Sequence, residues 1–188
     1  LFVGAGLVDA RAALLTGAIG VDLNHFAPAP LPSQPVFVLA ARLLADKGVR
    51  EYVAAARQLR GQAHFILLGG TDANPASVSR AELESWAAEG VVEWCDHVAD
   101  VRPLLARASV FVLPSYYREG VPRSIQEAMA MGRAILTTDM PGWSFASPRG
   151  GSIVGPKKSV VAAGAELHAA TAHNTAQIET DRMLHFCL

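Results

Sequence analysis

SVFVLPSYYREGVPRSIQEAMAMGRAILTT, residues 109–138, is the stretch whose reading decides the fold. It opens on an apolar, β-branched run, 109–115, that Pro114 stops. A polar loop with a glycine, YYREG, follows. The spacing then predicts a helix over 121–132, with Pro122 in its first turn and Gly132 just past its end, the expected asymmetry of helix ends. A second apolar run, 133–138, closes the unit. Strands apolar at successive positions are buried on both faces, as strands of a parallel sheet are. Strand, helix and strand in that order form a right-handed βαβ crossover.

Upstream the same alternation recurs. VFVLAA (36–41) and HFILLGG (64–70) read as buried strands, and VVEWC (91–95) as another. Val49, Tyr52, Val53, Ala56 and Leu59 repeat at helical spacing over 49–59. RAELESWAAEG (80–90) reads as an amphipathic helix stopped by Gly90, and 101–108 as a short helix. The fold class is therefore α/β, a doubly wound parallel (Rossmann-like) sheet over about 35–140. Such sheets take ligands at the carboxyl ends of their strands. Downstream the pattern weakens: SIV (152–154) is a short strand candidate, and SVVAAGAELHAA (159–170) suggests a helix.

The 188 residues, 51% hydrophobic and 18% charged with mean hydropathy +0.26, suit one domain and a small appendage. A net charge of −1 offers no bulk attraction for nucleic acid, so no nucleic-acid partner is expected. The two cysteines, Cys95 and Cys187, form no spaced framework, which points to a reducing, cytoplasmic location. No apolar run approaches the roughly 20 residues of a membrane span.

Two places on the carboxyl rim could carry chemistry. Glu119 and Glu127 stand on either side of the helix start at Pro122. That start offers free N–H groups and a partial positive charge suited to an anion. Gly120 allows close backbone approach, and Glu127 leans back towards the helix start. On spacing alone the pair fits an ordinary surface helix better, with Glu119 complementing the dipole and Glu127 a solvated acid. Arg42 and Lys47 follow the first strand; a planar fork and a point charge together suit a diphosphate, although a lone pair of cations in a loop is commonly only solvated.

Taken together, 20–30, 41–56 and 91–142 resemble the carboxyl-terminal half of the family 4 glycosyltransferases, retaining enzymes of two-domain GT-B architecture. The chain is most similar to bacterial members that build surface polysaccharide and lipopolysaccharide. Glu119 and Glu127 reproduce that family's acidic pair with seven residues between. The resemblance implies that Glu119 contacts the donor sugar and Glu127 the ribose. Backbone N–H groups around Gly120, Val121 and Pro122 would meet phosphate or sugar oxygens, Pro122 itself having none to give. Arg42 and Lys47 would neutralise the departing diphosphate, making Glu119, Arg42 and Lys47 the catalytic set. The base would lie against Cys95, His97 and Val98. The implied donor is a nucleotide diphosphate sugar, with UDP the expected nucleotide, and no obligatory metal or other cofactor is expected.

The resemblance also implies a domain plan. Residues 1–30 would be the remnant of a preceding amino-terminal acceptor domain and linker, 31–156 the donor-binding domain, and 157–188 a divergent, partly helical tail. PGWSFASPRGGSIVGP (141–156) departs from the family pattern, which puts donor contacts there in doubt. Without the acceptor domain the chain is expected to bind a nucleotide sugar and to transfer little. Peripheral attachment of a full-length enzyme to the cytoplasmic membrane face stays open. So do a nucleotide-sugar epimerase of related fold and a non-catalytic nucleotide-sugar binding module.

Overall fold

The computed structural model describes residues 3–7, 9–12, 20–117, 120, 122–138, 153–154 and 160–163. Five strands run parallel: β1 Val36–Ala40, β2 His64–Leu68, β3 Glu93–Cys95, β4 Val110–Leu113 and β5 Ala134–Thr138. Four helices cross between them: α1 Val49–Gln58, α2 Arg80–Ala88, α3 Arg102–Arg107 and α4 Arg123–Ala130. Two further strands, β6 Ile153–Val154 and β7 Val160–Ala163, complete the order β3-β2-β1-β4-β5-β7-β6.

Alternation along the strands builds two cores. Phe37, Leu39, Phe65, Leu67, Val110 and Val112 face one side, where α1 and α2 cover them through Tyr52, Val53, Leu83 and Trp86. Val38, Ile66, Phe111, Leu113 and Ile135 face the other, beneath Leu105 of α3 and Ile125 of α4. With both faces covered, no position of β1 beyond its first can be polar, which is why the strands read as unbroken apolar runs. Tyr52 is wholly buried, its hydroxyl 2.9 Å from the carbonyls of both Phe37 and Ile66, so one polar group bridges β1 and β2. Burial pushes its phenol well above the ordinary range.

Helix ends follow their local chemistry. Ser79 and Glu82 form a reciprocal capping box that starts α2, and Gly90 turns left-handed after its end. Pro122 caps α4 with extended geometry, and Gly132 at φ +77° ends it.

The helix expected over 159–170 is overturned in its first part. Val160–Ala163 is strand β7, antiparallel to β5 from Thr138↔Val160 to Ile135↔Ala163. The open edge of β5 offers unpaired backbone donors and acceptors, and a β-branched pair such as Val160–Val161 pairs with them readily. The SIV candidate is strand β6, so the parallel sheet carries an antiparallel extension.

The segment over 20–30 lies against the domain. Phe26 is buried in the second core, Gly20 N–H donates to Gln126 Oε1, and Arg133 donates to the carbonyls of Ala29 and Pro30. Among the described residues no helix is long and apolar enough to cross a membrane.

At the amino-terminal end of the sheet, Glu93 accepts from both terminal nitrogens of Arg107 at 2.8 and 2.6 Å and lies 2.7 Å from His64 Nε2. Arg107 foremost, then His64, holds the Glu93 carboxyl down to about 2 against the opposing effect of burial. A depressed carboxylate stabilises the fold fully above its unfolded pKa of about 4.3 and stops doing so as pH falls to the folded value. Melting curves of Glu93→Gln and the unaltered chain should therefore differ most at neutral pH. The gap should narrow below about pH 4 and close near pH 2. A gap independent of pH would remove the ion pair as its cause.

Candidate donor-binding site

Strand order reverses between β1 and β4: β2 and β3 lie to one side of β1, and β5 lies beyond β4. A crevice opens at the carboxyl ends of the strands at such a switch point. Here a cavity of about 220 Å³ opens there, walled by Ala40 at the end of β1 and Ala41 after it, Gly69 after β2, and Ser124 and Glu127 of α4. His97 and Val98 complete its rim. The lining is largely apolar, with Glu127 its principal charge.

Glu127 lies just over one turn into α4, and its side chain is only 13% exposed. Arg123, one turn before it, donates from Nε to Glu127 Oε1 at 2.9 Å. Ser124 shares the cavity face because positions three apart on a helix are neighbours.

Lys47 and Arg42, alike in the sequence, are placed differently. Lys47 ends a 3-10 turn, Ala45–Lys47, and is buried, with Nζ 5.2 Å from the centre of the Tyr117 ring. The loop after β4 clasps that turn. Ser115 Oγ and Tyr116 N–H both donate to the Asp46 carbonyl, at 3.2 and 3.0 Å, and the Tyr116 hydroxyl donates to that of Ala45 at 2.8 Å. Arg42 is exposed, with Nη1 4.0 Å from the Asp72 carboxylate.

Two glycines make this rim possible. A Cβ on Gly48 would lie 2.3 Å from the Pro114 carbonyl oxygen, and one on Gly69 the same distance from that of Ala41. At Gly69 the loop after β1 packs directly on the glycine backbone, where no side chain would fit. Gly120 has open space where a Cβ would stand, and Pro122 caps α4.

The remaining expectations divide. Glu119 and Val121 lie outside the described residues. Cys95 ends β3 half-buried, and its thiol meets Glu93 Oε1 at 3.8 Å, away from the cavity lining. Burial pushes that thiol up. His97 is exposed, its N–H on Asp96 Oδ1 at 2.7 Å. Sequence reasoning missed Arg123 and Ser124. The i, i+4 and i, i+3 spacings to Glu127 could have found both.

The family model described as "Glycosyl transferases group 1" matches residues 34–172. The chain belongs to that family. Over 139 residues it is 35% identical to an α-1,3-N-acetylgalactosaminyltransferase acting on N,N'-diacetylbacillosaminyl-diphospho-undecaprenol in Campylobacter jejuni, covering 66% of this chain and 36% of that enzyme. It is 32% identical to a putative colanic acid biosynthesis glycosyltransferase of Escherichia coli, covering 68% of this chain and 34% of the other. The chain thus spans about a third of the length of these relatives. Among solved structures, a Rickettsia africae glycosyltransferase aligns with TM-score 0.65 at 17% identity, over 79% of this chain and 44% of that one. Anabaena HepE in complex with UDP-glucose aligns with TM-score 0.62 at 20% identity, over 99% of this chain and 53% of that one. The fold is that of one α/β domain of the GT-B glycosyltransferases.

Proposed function

We propose that this chain holds the nucleotide sugar donor of a retaining glycosyltransferase, with a UDP-hexose as donor and a glycan or lipid-linked acceptor of bacterial surface polysaccharide. The observation that carries the reading is the cavity at the strand switch point with Glu127 in its wall. A relative named for colanic acid biosynthesis, another named for transfer to a diphospho-undecaprenol-linked sugar, and a structural neighbour solved with UDP-glucose support the choice of substrate class.

In this reading the apolar floor takes the base beside His97 and Val98, and Glu127 accepts from the ribose hydroxyls. Phosphates meet the start of α4, whose N–H groups point outward. Glu119 holds the sugar. As the sugar–phosphate bond breaks, negative charge gathers on the leaving diphosphate. Lys47, held fixed by the clasp, and the exposed Arg42 are set to stabilise it without a metal. Fixed donors need little reorganisation as charge develops, and this favours the buried Lys47 over a solvated lysine. Because the chain spans a third of its relatives' length, binding without transfer is the activity expected of it alone.

Calorimetric titration with UDP-, GDP- and ADP-sugars tests the assignment. UDP-sugar should bind most tightly, and Glu127→Ala or Lys47→Ala should each weaken it at least about tenfold, the worth of a charge-assisted hydrogen bond. A thermal melt beside each titration guards against misfolding of the Lys47 variant. Unchanged affinity in both folded variants would show the site to be elsewhere.

A further inference from the structure

We propose that Arg123 is the counter-ion that allows Glu127 to stand beside a diphosphate, a positioning residue that makes the site favour nucleoside diphosphates over nucleosides. This rests on the donor reading above. A ligand that presents ribose hydroxyls to Glu127 brings its phosphates within roughly 10 Å, about one Debye length, of the same carboxylate. Little water reaches that carboxylate to screen it, because its side chain is only 13% exposed against a largely apolar wall. Unpaired, it would repel the anion the site must accept.

Helix stability does not account for Arg123. It is the first residue of α4, where the macrodipole disfavours a cation. An arginine preceding a glutamate by four residues is also the less favourable order of such a pair. The side chain has room to move, being 72% exposed, and among the described residues its hydrogen bonding is confined to the one contact from Nε to Glu127. Among the described residues the two terminal nitrogens of the fork make no hydrogen bond, which leaves the side chain able to follow the carboxylate as a ligand enters.

Direct capture of phosphate by Arg123 is a different mechanism, and one set of variants separates the two. Affinities for UDP and for uridine are measured for the 188-residue chain, for Arg123→Ala, for Glu127→Gln and for the double variant. Counter-ion action predicts that Arg123→Ala lowers the UDP-to-uridine affinity ratio about tenfold, and that in the Glu127→Gln background, with no carboxylate charge to neutralise, it changes the ratio little. An equal fall in both backgrounds would mean Arg123 binds phosphate itself and would overturn the inference. So would an unchanged ratio in Arg123→Ala. If Glu127→Gln leaves the affinity for both ligands unaltered, or the unaltered chain binds neither, the donor reading itself fails, and the inference with it.

Discussion

Gly48→Ala should destabilise the chain by about 3 kcal/mol or more and abolish measurable nucleotide binding in whatever folds. Gly48 sits at φ +71°, where an L side chain costs about 1–2 kcal/mol. Its Cβ would also stand 2.3 Å from the Pro114 carbonyl oxygen and 2.6 Å from the Pro114 ring. Neither is the flexible end of a side chain, so the loop after β4 must move. That loop clasps the Ala45–Lys47 turn, so displacing it also displaces Lys47. Gly132→Ala provides the control. Gly132 has φ +77°, yet a Cβ there meets nothing within 4 Å, so only the conformational cost of about 1–2 kcal/mol applies. Urea unfolding of both variants reads the difference. Equal losses would mean that the contact with Pro114 is easily relieved.

Arg133→Met should also be costly, about 3 kcal/mol or more, because each buried carbonyl left without its donor costs about 1–3 kcal/mol. Arg133 is 1% exposed and has no acidic partner among the described residues; its guanidinium donates to the carbonyls of Met131, Ala108, Pro30 and Ala29. Burial lowers its pKa, but the cluster of carbonyl oxygens solvates the charge in place of water. Methionine retains much of the packed volume while removing the donor from the carbonyls of Ala108, Pro30 and Ala29; that of Met131 keeps the Ala29 N–H. A stability close to that of the unaltered chain would mean that packing, not hydrogen bonding, is the role of Arg133. Hydrogen exchange gives a second readout. The Ala29 N–H, bonded to the Met131 carbonyl at 3.3 Å, should lose protection when the clamp is removed, together with the segment around Phe26.

The same arginine illustrates what a sequence conceals. In RAILTT it reads as the opening residue of a strand, yet it lies before β5 and fastens residues 29–30, more than a hundred positions away in the chain. Nothing local marks such a role. Lys47 and Arg42 look equivalent for the same reason: both are cations after one strand, and only the loop after β4 buries one and leaves the other in solvent. The family resemblance puts Cys95 against the base, at the end of a strand on the ligand rim. Its thiol lies 3.8 Å from Glu93 Oε1 on its own strand, two residues back, because alternate positions of a strand share a face.

The sequence by itself determined the parallel sheet, its four crossover helices and the rim on which Glu127 sits. Those depend on local information: apolar runs where both faces are covered, helical spacing where one face is, and proline, glycine or a capping box at the ends. Tertiary structure alone decided that Val160–Ala163 would join the edge of β5, that Arg133 would hold residues 29–30, and that Lys47 would be buried beneath the Tyr116–Tyr117 loop. Each of these depends on backbone groups brought together by chain closure over long separations. Most of the groups involved are backbone N–H and carbonyl groups, which nearly every residue carries, so no residue type announces them in advance.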